Sequence, residues 1–134
     1  MVKPVDYILK FHEDFYRPIA QRIKEATTRA SSKPLNIDDF VIATFEPSDK
    51  LLLLRIDEHY AKRLKDLDNS EAKIEGYLHE DLLKHEIKNI YPNLKDDNYV
   101  YIYQFTVIRE RDKTPLHEFK ANYMLNNGVW VVKQ

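Results

Sequence analysis

The dipeptide Asn127-Gly128 is the tightest constraint in this chain, because it best tolerates positive φ at both central positions of a type I′ turn and so folds two strands directly back on each other. Before it, His117-Glu-Phe-Lys-Ala-Asn-Tyr-Met-Leu125 alternates polar and apolar with a period of two; after it, Val129-Trp-Val-Val132 is β-branched and aromatic. A two-residue turn pairs Leu125 with Trp130 and Tyr123 with Val132. Upstream, Tyr99 to Arg109 is dense in aromatic and β-branched residues and reads as a third strand, joined to the second by the loop Asp112-Lys-Thr-Pro115. Pairing Phe105 with Tyr123 and Val107 with Ala121 places Tyr101, Tyr103, Phe105, Val107, Phe119, Tyr123, Leu125, Trp130 and Val132 on one face. Gln104, Thr106, Lys120 and Asn122 fall on the other, mixed with Ile102, Ile108, Met124 and Val131. The C-terminal third is thus expected to be an antiparallel meander with an aromatic side and a mixed side.

The first thirty residues point to an amphipathic helix. Val5, Ile8, Leu9, Phe15 or Tyr16, Ile19, Ala20, Ile23, Thr27 and Ala30 recur at three and four, with a kink expected where Pro18 removes a donor. Such a stripe packs against the aromatic sheet face; its mixed acidic and basic polar side does not suit a membrane surface. Ser31 to Pro34 is a loop, and Phe40 to Phe45 a strand. Between Glu46 and Leu67 two readings stand: a hairpin turned at Pro47-Ser-Asp49, or a helix capped by Ser48 or Asp49 with a stripe of Leu52, Ile56, Tyr60, Leu64 and Leu67. The helix, running from about Asp49 to Leu67, covers five turns and is preferred. A further helix follows the N-cap residues Asp68-Asn-Ser70, carries Ile74, Leu78, Leu82, Leu83, Ile87 and Ile90, is slightly weakened by Gly76 and ends at Pro92. The fold class is α+β, with N-terminal helices packed on one face of a C-terminal antiparallel β-meander, in a single domain over 1–134.

Several chemistries are excluded outright. Without cysteine there are no disulfides, thiol nucleophiles or iron-sulfur clusters. With Gly76 and Gly128 as the sole glycines, no glycine-rich phosphate loop or nucleophile elbow can form. The 21 basic and 22 acidic residues are intermingled, which argues against a nucleic-acid partner. No long apolar run suggests a signal or a membrane span, so a cytoplasmic location is expected. His79-Glu-Asp-Leu-Leu-Lys-His85 imitates a zinc-binding helix but spaces its histidines by six, turning them apart. No metal or cofactor is expected. His12 and His59 have acidic neighbours, but adjacent residues on a helix do not face each other, and both read as surface histidines.

The helix-rich first part, the antiparallel ending and the form Asn127-Gly-Val-Trp-Val-Val132 resemble the nuclear transport factor two-like and cystatin-like α+β group. That resemblance implies a curved sheet wrapped around a long N-terminal helix, in a group that includes enzymes, ligand binders and dimeric adaptors. Two functions follow. The preferred one is a non-enzymatic interaction protein whose mixed sheet face, with Ile102, Ile108, Met124 and Val131, docks a protein partner or a second copy. The alternative is a ligand-binding or enzymatic pocket between the aromatic face and the first helix, lined by Tyr101, Tyr103, Tyr123 and Trp130 with His117 at its rim.

Overall fold

The computed structural model describes residues 5–108 and 114–133. Five strands, β1 (Val5–His12), β2 (Ala26–Arg29), β3 (Phe40–Glu46), β4 (Leu51–Arg63) and β5 (Tyr99–Val107), form one sheet in the order β1-β3-β4-β5-β2. β1 runs parallel to β3, and the other pairings are antiparallel. Short helices lie between and after them: α1 (Tyr16–Ala20), α2 (Asn69–Ile74), α3 (Glu80–Ile90) and α4 (Thr114–Asn122). The hairpin β6 (Tyr123–Asn126) and β7 (Val129–Val132) closes the described chain. The expected architecture, helices first and a meander last, is therefore overturned: the molecule is mostly sheet, and the sheet begins at the N-terminus.

The long first helix fails because its residues satisfy two periods at once. Leu9 and Phe11 are 1% and 7% exposed while Lys10 and His12 face solvent, which is strand alternation. The parallel partner, with Leu9 opposite Ala43 and Phe11 opposite Phe45, decides between the two periods. Pro18 leaves room for only five residues of helix in α1. The preferred helix from Asp49 to Leu67 is likewise a strand, the thirteen-residue β4, so the hairpin alternative is the one the chain adopts. Ser48 braces its turn by donating from both its amide and its hydroxyl to the Phe45 carbonyl, at 2.8 and 2.6 Å. A bulge between Ile56 and Glu58 shifts the side-chain parity of β4, so that Leu54 and Ile56 enter one core and Tyr60 another. The single helix expected after Asp68 is two helices, separated where Gly76 takes φ +86°.

At the C-terminal end the hairpin keeps its expected register, Leu125 opposite Trp130 and Tyr123 opposite Val132, around Asn127 and Gly128 at φ +52° and +81°. The meander does not form. β5 pairs with β4 and β2, and residues 114–122 are helical. Arg109, Asp112 and Lys113, expected at the strand end and in the loop, lie outside the described residues. One face of the sheet buries Leu9, Val41, Phe45, Leu54, Ile56, Phe105 and Val107 with Ile19 of α1. The opposite face is covered at one end by α4 and the hairpin, over Ile42 and Leu53, and at the other by α2 and α3, over Val100 and Ile102.

Candidate functional site

The sheet curls until its two edge strands meet. Arg29 Nη2 on β2 donates to the Lys10 carbonyl on β1 at 3.0 Å, and its guanidinium lies 4.8 Å from the centre of the Phe11 ring. Beside this closure is a cleft of about 580 Å³, bounded by Lys10, Phe11 and His12 of β1, Phe15, Lys24, residues Thr27 to Arg29 of β2, and Tyr77, Glu86, Ile90 and Tyr91 from around α3. Two shallower hollows of about 350 and 70 Å³ adjoin it. Its volume and apolar, aromatic walls match a small-molecule site.

α2 carries a buried carboxylate to Lys24 and Thr28, two residues of the cleft lining. A capping box starts the helix: the Asp68 carboxylate accepts from the Ser70 amide at 2.8 Å, and Glu71 accepts from the Asp68 amide at 3.0 Å. Glu71, 2% exposed, also takes the Lys62 ammonium and the Tyr60 hydroxyl, each at 2.9 Å. Burial opposes its ionisation, but these donors more than offset that and hold its carboxyl below the usual range. Burial and the Glu71 carboxylate together push the Tyr60 hydroxyl up to about 12. The helix so anchored ends at Glu75, where the Ile74 carbonyl accepts from the Glu25 amide at 2.7 Å and Gly76 packs against Ile23. That clamp sets Glu75 against Lys24.

Lys24 Nζ donates to Glu75 Oε1 at 3.0 Å, and Thr28 Oγ1 donates to Glu75 Oε2 at 2.6 Å. The Lys24 and Glu75 side chains are only 7% and 3% exposed. An ion pair taken out of water is a costly way to hold a fold together, since well-packed apolar residues of similar volume often serve as well. Here it stands against a cleft whose surface includes Lys24, Thr27 and Thr28. Thr27 Oγ1 accepts from Arg29 Nε at 3.1 Å. Burial draws the Arg29 guanidinium below its ordinary value, opposed by the fields of Tyr91 and Glu75. Burial, aided by Glu86 and Glu75, pushes the Tyr77 hydroxyl up to about 12, so at neutral pH Tyr77 is a proton donor at the wall. The arrangement offers three hydroxyls, those of Thr27, Thr28 and Tyr77, a carboxylate that accepts a hydrogen bond from one of them, and the two cations Lys24 and Arg29 beside an open space.

The pocket expected from sequence does not assemble. Tyr101 and Tyr103 pack into the first core, where the Tyr103 hydroxyl accepts from the Lys33 amide at 2.7 Å. Tyr123 and Trp130 lie across the sheet against Phe119, at ring separations of 4.4 and 5.3 Å, and His117 sits exposed on α4. Of the proposed docking residues, Ile102 is fully buried beneath α2 and α3, Ile108 packs beside Ile42, and Met124 and Val131 are exposed on the hairpin, so the four form no common surface. His79 caps α3, its Nδ1 accepting from the Asp81 amide at 3.1 Å, and His12 does the same for Asp14 at 3.2 Å. Among the described residues no group of three His, Cys, Asp or Glu side chains is placed to hold a metal, and no helix is long and apolar enough to cross a membrane.

Sequence reasoning missed Lys24, Thr28 and Glu75 altogether and used Thr27 merely as part of a helical stripe. The available signals were faint: a lysine interrupting the apolar run between Ile23 and Ala26, and a glycine directly after Glu75.

No family model matches the chain, and no curated protein matches it in sequence. Among solved structures it is similar to the ASCH domain from Lactobacillus crispatus, with a TM-score of 0.62, 12% identity, and coverage of 75% of this chain and 78% of that one. A protein of the DUF984 family from Enterococcus faecalis superposes with a TM-score of 0.63 at 16% identity, covering 81% and 78%. ASCH from Zymomonas mobilis gives 0.60 at 12% identity, over 95% and 86%. At these identities the likeness is one of fold, and it corrects the expected resemblance to the nuclear transport factor two-like and cystatin-like group: the described residues contain no long N-terminal helix for a sheet to wrap, and the fold is the one seen in ASCH and DUF984 structures.

Proposed function

We propose that the protein hydrolyses an acyl bond, an amide or ester, in a small ring-bearing substrate, with Lys24, Thr28 and Glu75 as its reacting centre. The observation that carries this is the 2.6 Å hydrogen bond from Thr28, on the wall of an open cleft, to the buried Glu75 carboxylate, whose other oxygen lies 3.0 Å from the ammonium of the cleft-lining Lys24. A hydroxyl needs an adjacent base to act as a nucleophile. Glu75 takes the Thr28 proton as Thr28 Oγ1 bonds to the carbonyl carbon, and Lys24 offsets the charge that develops on the carbonyl oxygen. The bond to the leaving amine or alcohol then breaks as Glu75 returns the proton to it. Water cleaves the acyl-threonine by the same route in reverse. Phe11, Phe15, Ile90 and Tyr91 supply flat apolar walls for a ring.

A second assignment has its own support. Thr27 lies in the same cleft, and its oxygen already accepts from the Arg29 guanidinium at 3.1 Å, a bond that favours the alkoxide. Release of arylamine or phenol from a panel of N-acyl and O-acyl aromatic compounds tests both. Glu75→Gln is expected to lower kcat/KM by about 10²-fold or more. Whichever of Thr28→Ala and Thr27→Ala abolishes turnover identifies the nucleophile. Full activity in Glu75→Gln, or in both alanine variants, overturns the proposal.

A further inference from the structure

The guanidinium of Arg29 is left partly satisfied in an unusual way. It has five N–H donors; its Nε goes to Thr27 Oγ1 at 3.1 Å and its Nη2 to the Lys10 carbonyl at 3.0 Å, both neutral acceptors. The Phe11 ring 4.8 Å away holds its plane. None of the ion pairs among the described residues includes it. The nearby carboxylate that would serve, Glu75, is already held by Lys24 and Thr28. Buried and partly buried charges are ordinarily paired, because removal from water is costly without a counter-charge. Lys24, one cation of the cleft lining, is thus paired with Glu75, whereas Arg29 lines the cleft with no carboxylate partner among the described residues and with donors to spare. The carboxylates that do line the cleft are Asp14, whose backbone amide donates to His12 Nδ1 at 3.2 Å, and Glu86 on α3, and among the described residues neither forms an ion pair with Arg29.

We infer that Arg29 anchors an anionic group of the ligand, so that the cleft selects ring compounds bearing a carboxylate or a phosphate over their neutral counterparts. This rests on the cleft being a ligand site, as proposed above, but not on hydrolysis. Guanidinium matches both oxyanions through paired, parallel hydrogen bonds, which an ammonium does not provide. Asp14 and Glu86 then favour the orientation in which the anion is inside and the uncharged ring lies between Phe11 and Tyr91.

Calorimetric titration with benzoate, phenyl phosphate and neutral benzamide tests the inference on the intact protein. Benzoate, phenyl phosphate or both bind at least tenfold more tightly than benzamide, and the tighter of the two tells whether carboxylate or phosphate is the natural group. Arg29→Met removes that preference and leaves benzamide affinity unchanged; Arg29→Lys restores only part of it. Because Arg29 also bridges β1 and β2, the side-chain nitrogen resonances of Arg29 in the wild-type protein provide an independent readout: they shift with the preferred anion and not with benzamide. Equal affinity for all three probes, a preference that survives in Arg29→Met, or an unmoved Arg29 resonance overturns the inference. A wild-type protein that prefers the anions but hydrolyses none of the acyl compounds refutes the proposed reaction and leaves the anion site standing.

Discussion

Besides the rings of the first core, aromatic side chains gather at two further places, where α4 and the hairpin cover β3 and β4, and around the cleft where β1 meets β2. In the first of these, Phe119 stacks on Tyr123 and meets Trp130 edge to face, while Thr44 Oγ1 and Trp130 Nε1 find no partner among the described residues. In the second, Phe11, Phe15, Tyr77 and Tyr91 border a space of about 580 Å³, and Lys24, Thr28 and Glu75 beside it are bound to one another. The difference teaches that rings alone do not mark a site. A cover tolerates a stray polar atom because its rings carry the stability; the cleft concentrates charged and hydroxylic groups, with Lys24, Thr28 and Glu75 bound to one another and Arg29 keeping donors to spare, beside an open space.

The largest effect that would test this contrast is at Lys24. Lys24→Met strands the buried Glu75 carboxylate and is expected to cost about 3–5 kcal/mol of stability by urea unfolding, much of it recovered in Lys24→Met/Glu75→Leu. If that single substitution were nearly neutral, the cluster would not be the tightly held group described here. Phe119→Ala, on the buried face of α4, should cost about 3 kcal/mol by the same measurement while leaving ligand binding in the cleft unchanged. Loss of binding there would mean that the two ends are coupled.

The glycines sharpen the comparison further. Gly128 at φ +81° faces Pro47, whose Cβ would be 2.6 Å from an added methyl; Gly76 at φ +86° has the Ile23 carbonyl at 3.1 Å. Alanine at either costs about 1–2 kcal/mol for the left-handed backbone alone. Gly128→Ala should leave the cleft intact, whereas Gly76→Ala should also weaken the proposed hydrolysis by displacing Glu75, as steady-state rates will show. The smallest effect is expected at Glu71. Its folded carboxyl titrates below the ordinary 4.5, so its contribution is complete above about pH 4.5 and is lost as pH falls through the lower folded value. Glu71→Gln should cost about 1 kcal/mol at neutral pH and flatten the acid limb of a stability-versus-pH curve.

How much of this was legible varies with how local the cause is. The Asn127-Gly128 hairpin and its register, the Asp68 cap, the Phe40–Phe45 strand and the end of α3 before Pro92 can all be read in the chain. The first helix, the helix after Asp49 and the C-terminal meander cannot, because Tyr7 to Phe11 and Leu51 to Ile56 fit helical spacing as well as strand alternation. The aromatic run Tyr101, Tyr103, Phe105 was correctly placed on one face of β5, yet against the wrong neighbours. Nothing near Lys24 announces Glu75, fifty-one positions away.

What the sequence determined by itself are features governed by a few consecutive residues: turn geometry through positive φ, helix starts through a side-chain acceptor, helix ends through proline and glycine. The tertiary structure alone decided which period Tyr7 to His12 would obey, how far the sheet would curl, and which polar groups would meet at its closing edge. The physical reason is that strand pairing and burial are long-range. Leu9 becomes a strand residue because Ala43 lies beside it, and Lys24 becomes a site residue because α2 ends against it.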